Sequence, residues 1–185
     1  MTPEQNAILA VADMMALAAR TAPKGKGEDT LKIRVLDKKA TKKLATRLET
    51  IGEEMHIGFF IRDAKNIAAS DACVVVASRG DTIAGINCGG CGFPSCAALE
   101  KARKTKKNGP FFDGPNCVIR MADLGIAIGS AVKTAQVHNA DNRIMYSGGV
   151  AARDLGIVPK DCTVAYAIPL SATGKNIFFD RQSSR

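Results

Sequence analysis

Apolar residues follow a helical spacing at the start of the chain. Between Thr2 and Arg20 they recur every three or four positions, at Ile8, Val11, Met15 and Ala18, which is the spacing of a helix that buries one face. The first residues are typical of a helix start, because Thr2 can cap, Pro3 suits the first turn and Gln5 can complete a capping box. We therefore expect a helix that runs to about Arg20.

Two other patterns predict strands. Residues 31–36 alternate between apolar and polar, as in a half-buried strand, and residues 72–77 form an apolar run typical of a strand buried on both faces. A second helix, capped by Asp37, should bury Leu44, Leu48, Ile51 and Met55 on one face. Further helices are expected at 94–104, 121–138 and 148–155, with an irregular or helical piece at 59–69. The remaining expected elements are a short extended piece at 117–120 and strands at 142–146 and 163–169.

The order of these elements indicates the fold class. Strands and helices do not alternate regularly, so a doubly wound parallel sheet is not expected and the prediction is an α+β fold. A chain of 185 residues that is 46% hydrophobic is long enough for one ordinary core. We expect a single domain over residues 1–185. Gly125 and Gly129 share one face of the helix at 121–138, which predicts close packing there.

Charge narrows the possible partners. The net charge of +8 comes largely from Lys24, Lys26, Lys38, Lys39, Lys42, Lys43 and the basic run 101–107. Such residues usually form a solvated face, and with no Trp, two Tyr and no binding motif a nucleic-acid partner is unlikely. A basic patch beside a redox site suits an acidic redox protein as partner. Glu4 and Asp13 interrupt any signal peptide and no apolar run is as long as a membrane span, so we expect a cytoplasmic protein without a membrane partner.

Four of the six cysteines form one constellation. Cys88, Cys91 and Cys96 follow a Cys-x2-Cys-x4-Cys spacing, and Cys117 comes after twenty further residues. The interspersed glycines and proline allow the backbone to curl around a compact inorganic core, in which each iron binds one thiolate. We predict that these four cysteines bind a 4Fe-4S cluster and that residues 86–118 form a cluster-binding insert.

Local signals refine this site. Glycines 89, 90 and 92 can adopt positive φ and present backbone N–H groups to sulfur. Pro94 is predicted to begin a helix, which places Cys96 in its first turn, where the positive end of the helix dipole stabilises a thiolate.

Other uses of these cysteines remain open. A four-thiolate zinc site also uses a Cys-x2-Cys knuckle, although zinc sites usually carry two such knuckles. Two disulfides are the third alternative, disfavoured for a chain without a secretory signal. Cys73 and Cys162 border or lie in apolar runs and are predicted to be core residues. His56 and His138 lie near predicted helix ends, and Asp123 is interpreted as a structural cap.

Several segments resemble known families. The core from Cys88 to Cys96 resembles the 4Fe-4S modules of electron-transfer proteins, and the whole chain resembles a family of uncharacterised prokaryotic proteins that contain a ferredoxin domain. The loop 22–27, the helix segment 121–127 and the stretch 155–169 are similar to the corresponding parts of nitroreductases. The resemblance implies a pared-down nitroreductase-like α/β sandwich that carries the cysteine-rich insert.

The nitroreductase resemblance has functional implications. Members of that family are homodimers with FMN at the subunit interface, so a homodimer is expected and FMN becomes a candidate cofactor. Their N-terminal Arg-Arg-Ser segment, which grips the FMN phosphate, has no counterpart here. The candidates to replace it are Arg20, Lys24 and Lys26, and the Gly148-Gly149 pair at a helix start. An ordinary surface loop and an ordinary turn are the alternatives for these two groups.

Three functions follow from these patterns. The first is an iron-sulfur redox protein that carries electrons through a 4Fe-4S cluster. The second is a flavin-dependent reductase in which the cluster relays electrons to FMN. The third is a binding module stapled by zinc.

Overall fold

In the part of the chain that the structure describes, four antiparallel strands form one sheet with helices on both faces. The computed structural model describes residues 2–105 and 109–179. Its strands are β1 (Leu31–Leu36), β2 (Ala72–Ser78), β3 (Asp141–Asn142) and β4 (Val164–Ser171), in the spatial order β1-β2-β4-β3. Every residue of β2 is buried, as predicted for a strand covered on both faces.

Within the described residues, six α-helices cover the sheet or extend from it. They are α1 (Pro3–Thr21), α2 (Lys38–Glu54), α3 (Gly58–Ala69), α4 (Cys96–Lys104), α5 (Val118–Val137) and α6 (Tyr146–Asp154), with a 3-10 turn at Gly25–Gly27 after α1. Helices α1 and α5 pack on one face, where Val74 and Val76 of β2 meet them. Helices α2, α3 and α6 pack on the other face against Cys73, Val75 and Ala77. The sheet thus separates two hydrophobic cores.

The predicted helix starts are confirmed at both N-terminal helices. The Thr2 hydroxyl accepts the Gln5 N–H at 3.4 Å, and the Gln5 side chain accepts the Thr2 N–H at 3.1 Å, which completes the capping box. At α2 the Asp37 carboxylate accepts the Ala40 N–H at 2.7 Å. Met55, however, is the C-cap of α2 and is 46% exposed, so its assignment to the buried face was wrong.

Two predicted boundaries near the cysteines were also wrong. Helix α4 begins at Cys96 instead of residue 94, because the Ser95 hydroxyl accepts the Ala98 N–H and makes Ser95 the cap. The piece at 117–120 is not extended: Cys117 is the N-cap of α5, which begins at Val118. Cys96 still lies in the first turn of its helix, as predicted.

The C-terminal half contains two further differences. The strand predicted at 142–146 is reduced to the two-residue β3 and an isolated bridge between Met145 and Ala167, because α6 already begins at Tyr146. The close packing expected at Gly125 and Gly129 is not found, since a Cβ on either residue would meet no described atom within 4 Å. Mixed helices and an antiparallel sheet nevertheless confirm the α+β fold. No helix in the described ranges combines the length and apolar composition needed to span a membrane.

Candidate functional site

The cysteine-rich segment, residues 81–117, begins and ends beside the C-terminal end of β2. The Cys117 N–H donates to the Gly80 carbonyl at 2.7 Å, so the two ends of the segment are joined directly. Beside them the Thr163 N–H donates to the Ser78 carbonyl at 2.9 Å, and the Thr163 hydroxyl contacts Asn116 Oδ1 at 2.7 Å. This junction brings Cys117 back to the start of the segment that carries the other three cysteines.

Cys96 is held by Asn87, the residue that precedes Cys88. The Asn87 Oδ1 accepts the Cys96 N–H at 2.8 Å, and the Asn87 N–H donates to Cys96 Sγ at 3.4 Å. Asn87 has a φ of 49°, a left-handed conformation that asparagine tolerates better than most residues. The role of Asn87 was not predicted from the sequence, in which it is marked only by its position beside the Cys-Gly-Gly turn.

Cys91 and Cys117 belong to one small apolar cluster. Its buried members are Ala84, Leu99 and Cys117, and Cys91 packs against them. Leu99 comes from α4 and is completely buried. This group of apolar side chains therefore connects the Cys-x2-Cys turn, the helix that begins at Cys96 and the N-cap of α5.

Cys88 is exposed and lies near Gly90, which faces the first residue of α5. A Cβ added to Gly90 would lie 2.8 Å from Val118 Cγ1 and 3.7 Å from Cys88 Sγ, so a larger residue here would have to displace the Val118 side chain at the start of α5. Gly89 and Gly92 adopt the predicted positive φ, at 71° and 83°. Cys88 is exposed, whereas Cys117 is buried.

All six cysteines are free thiols in the structure, so no disulfide joins them. Across residues 2–105 and 109–179, no three His, Cys, Asp or Glu side chains stand close enough to hold one metal ion. A single zinc ion needs four donors converging within about 2.3 Å of one atom. A 4Fe-4S cluster differs in this respect, because each of its irons binds a separate thiolate.

Charged residues fix the surroundings of this segment. Arg103 of α4 pairs with the Asp81 carboxylate and donates to the Asp81 carbonyl at 2.6 Å, which ties the helix to the chain leaving β2. Lys104 is exposed at the end of α4, while Lys106 and Lys107 of the predicted basic run lie outside the described residues.

Arg120 is the largest fully buried side chain of the described ranges. Its guanidinium donates to the carbonyls of Gly25 at 3.1 Å and Thr82 at 3.3 Å, to the Asp123 carboxylate at 3.1 Å, and also to Glu28. It thus holds the loop after α1 and the chain leading to the cysteines against the first turn of α5. This role of Arg120 was not predicted from the sequence, because an Arg in the first turn of a helix is usually exposed.

The cationic candidates for a flavin phosphate are largely paired within the chain. Arg20 pairs with Asp29 and donates to the Leu31 carbonyl at 3.1 Å. Lys24 Nζ donates to the carbonyls of Ala19, Arg20 and Ala22 and so caps the end of α1. Lys26 is exposed, with a φ of 58°.

Gly148 and Gly149 lie on the opposite face of the sheet. Both are buried in α6, and a Cβ on Gly149 would lie 1.8 Å from the Ala165 carbonyl oxygen of β4. They allow close packing of α6 on β4. The sheet therefore separates them from Arg20, and the two groups do not meet around one ligand within a chain.

The remaining candidates have the structural roles expected of them. Burial raises the pKa of the Cys73 thiol to about 12, and burial together with Asp161 raises that of Cys162 to about 11, so both stay protonated core residues. Asp123 is buried and accepts the Gly25 N–H at 2.7 Å, which caps the 3-10 turn. His138 caps the C-terminus of α5.

Comparison with known proteins agrees with this structure. Residues 106–181, which include Cys117, match the family described as "Uncharacterized protein containing a ferredoxin domain". A relative from Archaeoglobus fulgidus, described only as an uncharacterized protein, is 46% identical over 168 residues, which cover 91% of this chain and 88% of the relative. The chain belongs to this ferredoxin-domain family. The predicted membership is thereby confirmed, and the match to the relative spans nearly the whole of both chains.

Solved structures confirm the nitroreductase-like fold. The chain superposes on a nitroreductase family protein from Clostridium novyi with a TM-score of 0.54 at 15% sequence identity. The superposition covers 96% of this chain and 80% of that protein. An FMN-dependent nitroreductase from Clostridium difficile gives 0.53 at 16% identity, over 90% and 76%. An NADPH:FMN oxidoreductase from Vibrio harveyi gives 0.54 at 12% identity, over 95% and 62%. These likenesses establish the fold alone.

Proposed function

We propose that the protein is an iron-sulfur redox protein whose Cys88, Cys91, Cys96 and Cys117 bind a 4Fe-4S cluster. The observation that carries the proposal is the hydrogen bond from the Cys117 N–H to the Gly80 carbonyl, at 2.7 Å, because it brings the fourth cysteine back to the start of the stretch that carries the other three. The packing of Cys91 with Cys117 supports the same grouping. The ferredoxin domain in the family description supports a redox function.

The four cysteines would play different parts. Cys117 is buried and gives the site its inner wall, and Cys96 lies at the positive end of α4, which favours a thiolate. Cys88 is exposed and gives the site its outer edge. A bound cluster would supply one-electron transfer, and the exposed edge is where a partner could approach closely.

Anaerobic purification with iron and sulfide analysis tests the proposal. We expect a brown protein with four irons and four sulfides per chain, as a 4Fe-4S cluster requires, and a visible absorption that bleaches with dithionite. Protein that is colourless and free of iron would contradict the proposal, and zinc without acid-labile sulfide would favour the zinc-stapled module instead.

Single substitutions assign the ligands. Cys88→Ser, Cys91→Ser, Cys96→Ser and Cys117→Ser should each lower the iron content, since each removes one thiolate. Cys73→Ser is the matched control, because Cys73 is fully buried in β2 on the sheet face opposite α1 and α5. Equal iron loss from Cys73→Ser would refute the ligand assignment.

A flavin-dependent reductase is the second candidate. Structural neighbours described as FMN-dependent nitroreductase and NADPH:FMN oxidoreductase favour it. Arg20, Lys24 and Lys26 would then serve the phosphate after giving up part of their present pairing. Heating protein reconstituted with FMN should release one flavin per chain, and the absence of bound flavin would count against this function.

Assembly and partner follow from the same likeness and from the charge. We propose a homodimer, which light scattering should report as twice the chain mass of 19.5 kDa. The net charge of +8 supports an acidic redox protein as the electron partner in the cytoplasm. Electron transfer to an acidic carrier should then slow as ionic strength rises, whereas a rate that is independent of salt would argue against it.

A further inference from the structure

Asn87 contacts Cys96 through both its backbone and its side chain. Its N–H donates to Cys96 Sγ at 3.4 Å while its Oδ1 accepts the Cys96 N–H at 2.8 Å. The other three candidate ligands receive no such paired contact within the described residues. Asn87 is also exposed, so these two bonds are not a by-product of core packing.

We infer that Asn87 is a positioning residue that fixes the Cys96 thiolate and sets the reduction potential of the site. This inference rests on the proposed function. The side-chain bond holds the first residue of α4 in place, and that position keeps Sγ within reach of the Asn87 N–H. Hydrogen bonds to ligating sulfur stabilise negative charge and therefore favour the reduced state of a cluster.

The backbone conformation explains why this residue type suits the position. At a φ of 49° a β-branched side chain would be strained, whereas asparagine and glycine are tolerated. The Oδ1 atom of asparagine accepts the Cys96 N–H, and the carboxylate of aspartate has the same length. Aspartate would keep that acceptor and bring a negative charge beside the sulfur, which disfavours adding an electron.

Two variants separate the contributions of the side chain. Asn87→Gly keeps the left-handed backbone and the N–H but loses the acceptor, so iron release to a chelator should become about three- to tenfold faster, the effect of losing one neutral hydrogen bond. Asn87→Asp should keep the slow release of the wild type, yet its reduction potential should shift to a more negative value.

Asn139 provides the matched control. It is exposed, has a φ of 52° and lies just beyond the C-terminus of α5, the end opposite Cys117. Asn139→Gly and Asn139→Asp therefore repeat both changes of residue type and backbone away from the cysteines. They should leave iron release and potential unchanged.

The possible outcomes are distinct. If wild-type protein holds a cluster but neither Asn87 variant differs from its Asn139 counterpart, the role of Asn87 is refuted and the proposed function stands. If anaerobically prepared wild-type protein holds no cluster, the proposed function and this inference both fail. Faster release in Asn87→Gly together with a lower potential in Asn87→Asp supports the inference.

Discussion

Arg120→Met should be among the most damaging single substitutions in this chain. The Arg120 side chain is fully buried, and the Asp123 carboxylate beside it is 4% exposed. Without the guanidinium, Asp123 keeps only the Gly25 N–H at 2.7 Å as a described partner. Breaking a buried ion pair by removing one partner costs about 3–5 kcal/mol, because the remaining charge is left uncompensated. The carbonyls of Gly25 and Thr82 lose a donor as well.

Urea unfolding at pH 7, followed by far-UV circular dichroism, measures this loss. Arg47→Met is the control, since Arg47 also binds two carboxylates, at 2.5 Å to Asp154 and 3.7 Å to Glu54, but at the surface. Its substitution should lower the free energy of unfolding by at most about 1 kcal/mol. Adding Asp123→Asn to Arg120→Met should recover part of the loss, because the uncompensated charge disappears while Oδ1 still accepts from Gly25.

Two results would refute this reasoning. One is an Arg120→Met protein whose free energy of unfolding lies within about 1 kcal/mol of the wild type, since a buried pair should count for more. The other is the absence of any recovery when Asp123→Asn is added. Either result would mean that the guanidinium contacts do not stabilise the folded state as their burial implies.

Two further predictions use the same unfolding assay. Gly149→Ala should lower the free energy of unfolding by about 3 kcal/mol, because the new Cβ would lie 1.8 Å from the Ala165 carbonyl oxygen. Gly125→Ala, with open space around it, should raise that free energy by up to about 1 kcal/mol. A loss of stability at both positions would contradict the packing described. The hydrogen bond from Arg47 lowers the pKa of the Asp154 carboxyl below its ordinary 3.8. The contribution of this ion pair to the stability of the fold is therefore present at neutral pH and is lost as pH falls below about 4. The difference in stability between wild type and Asp154→Asn should therefore be below about 1 kcal/mol at pH 7 and vanish in acid, and a difference that grows in acid would exclude this explanation.

Local signals in the sequence were sufficient for much of the fold. The capping box of Thr2 and Gln5 and the cap at Asp37 act over three residues, so both helix starts were predicted correctly. The alternation at Leu31–Leu36 and the apolar run of β2 depend on burial alone, which the pattern expresses directly. Segments whose structure depends on distant contacts were predicted less well: Met145 pairs with Ala167 of β4 in the register of β3, but α6 begins at the next residue, Tyr146.

The cysteine spacing of the candidate site can be read from the sequence, whereas the residues that hold the surrounding chain in place cannot. The cysteine spacing is a local feature, whereas the Arg120 contacts reach Gly25 and Thr82, which are 95 and 38 residues away in sequence. Asn87 reaches only nine residues, to Cys96, but its role depends on a left-handed φ that several residue types can adopt. Composition could not distinguish these residues from ordinary surface arginines and asparagines.

The bond between the Cys117 N–H and the Gly80 carbonyl has a thermodynamic consequence. The stretch 81–116 begins and ends at a point that the sheet already fixes, so the entropy of bringing its ends together is lost when the strands assemble. A cluster bound as proposed would therefore form on a stretch whose two ends are already held together. Insertions or deletions within residues 81–116 should therefore leave the register of β2 against β4 unchanged.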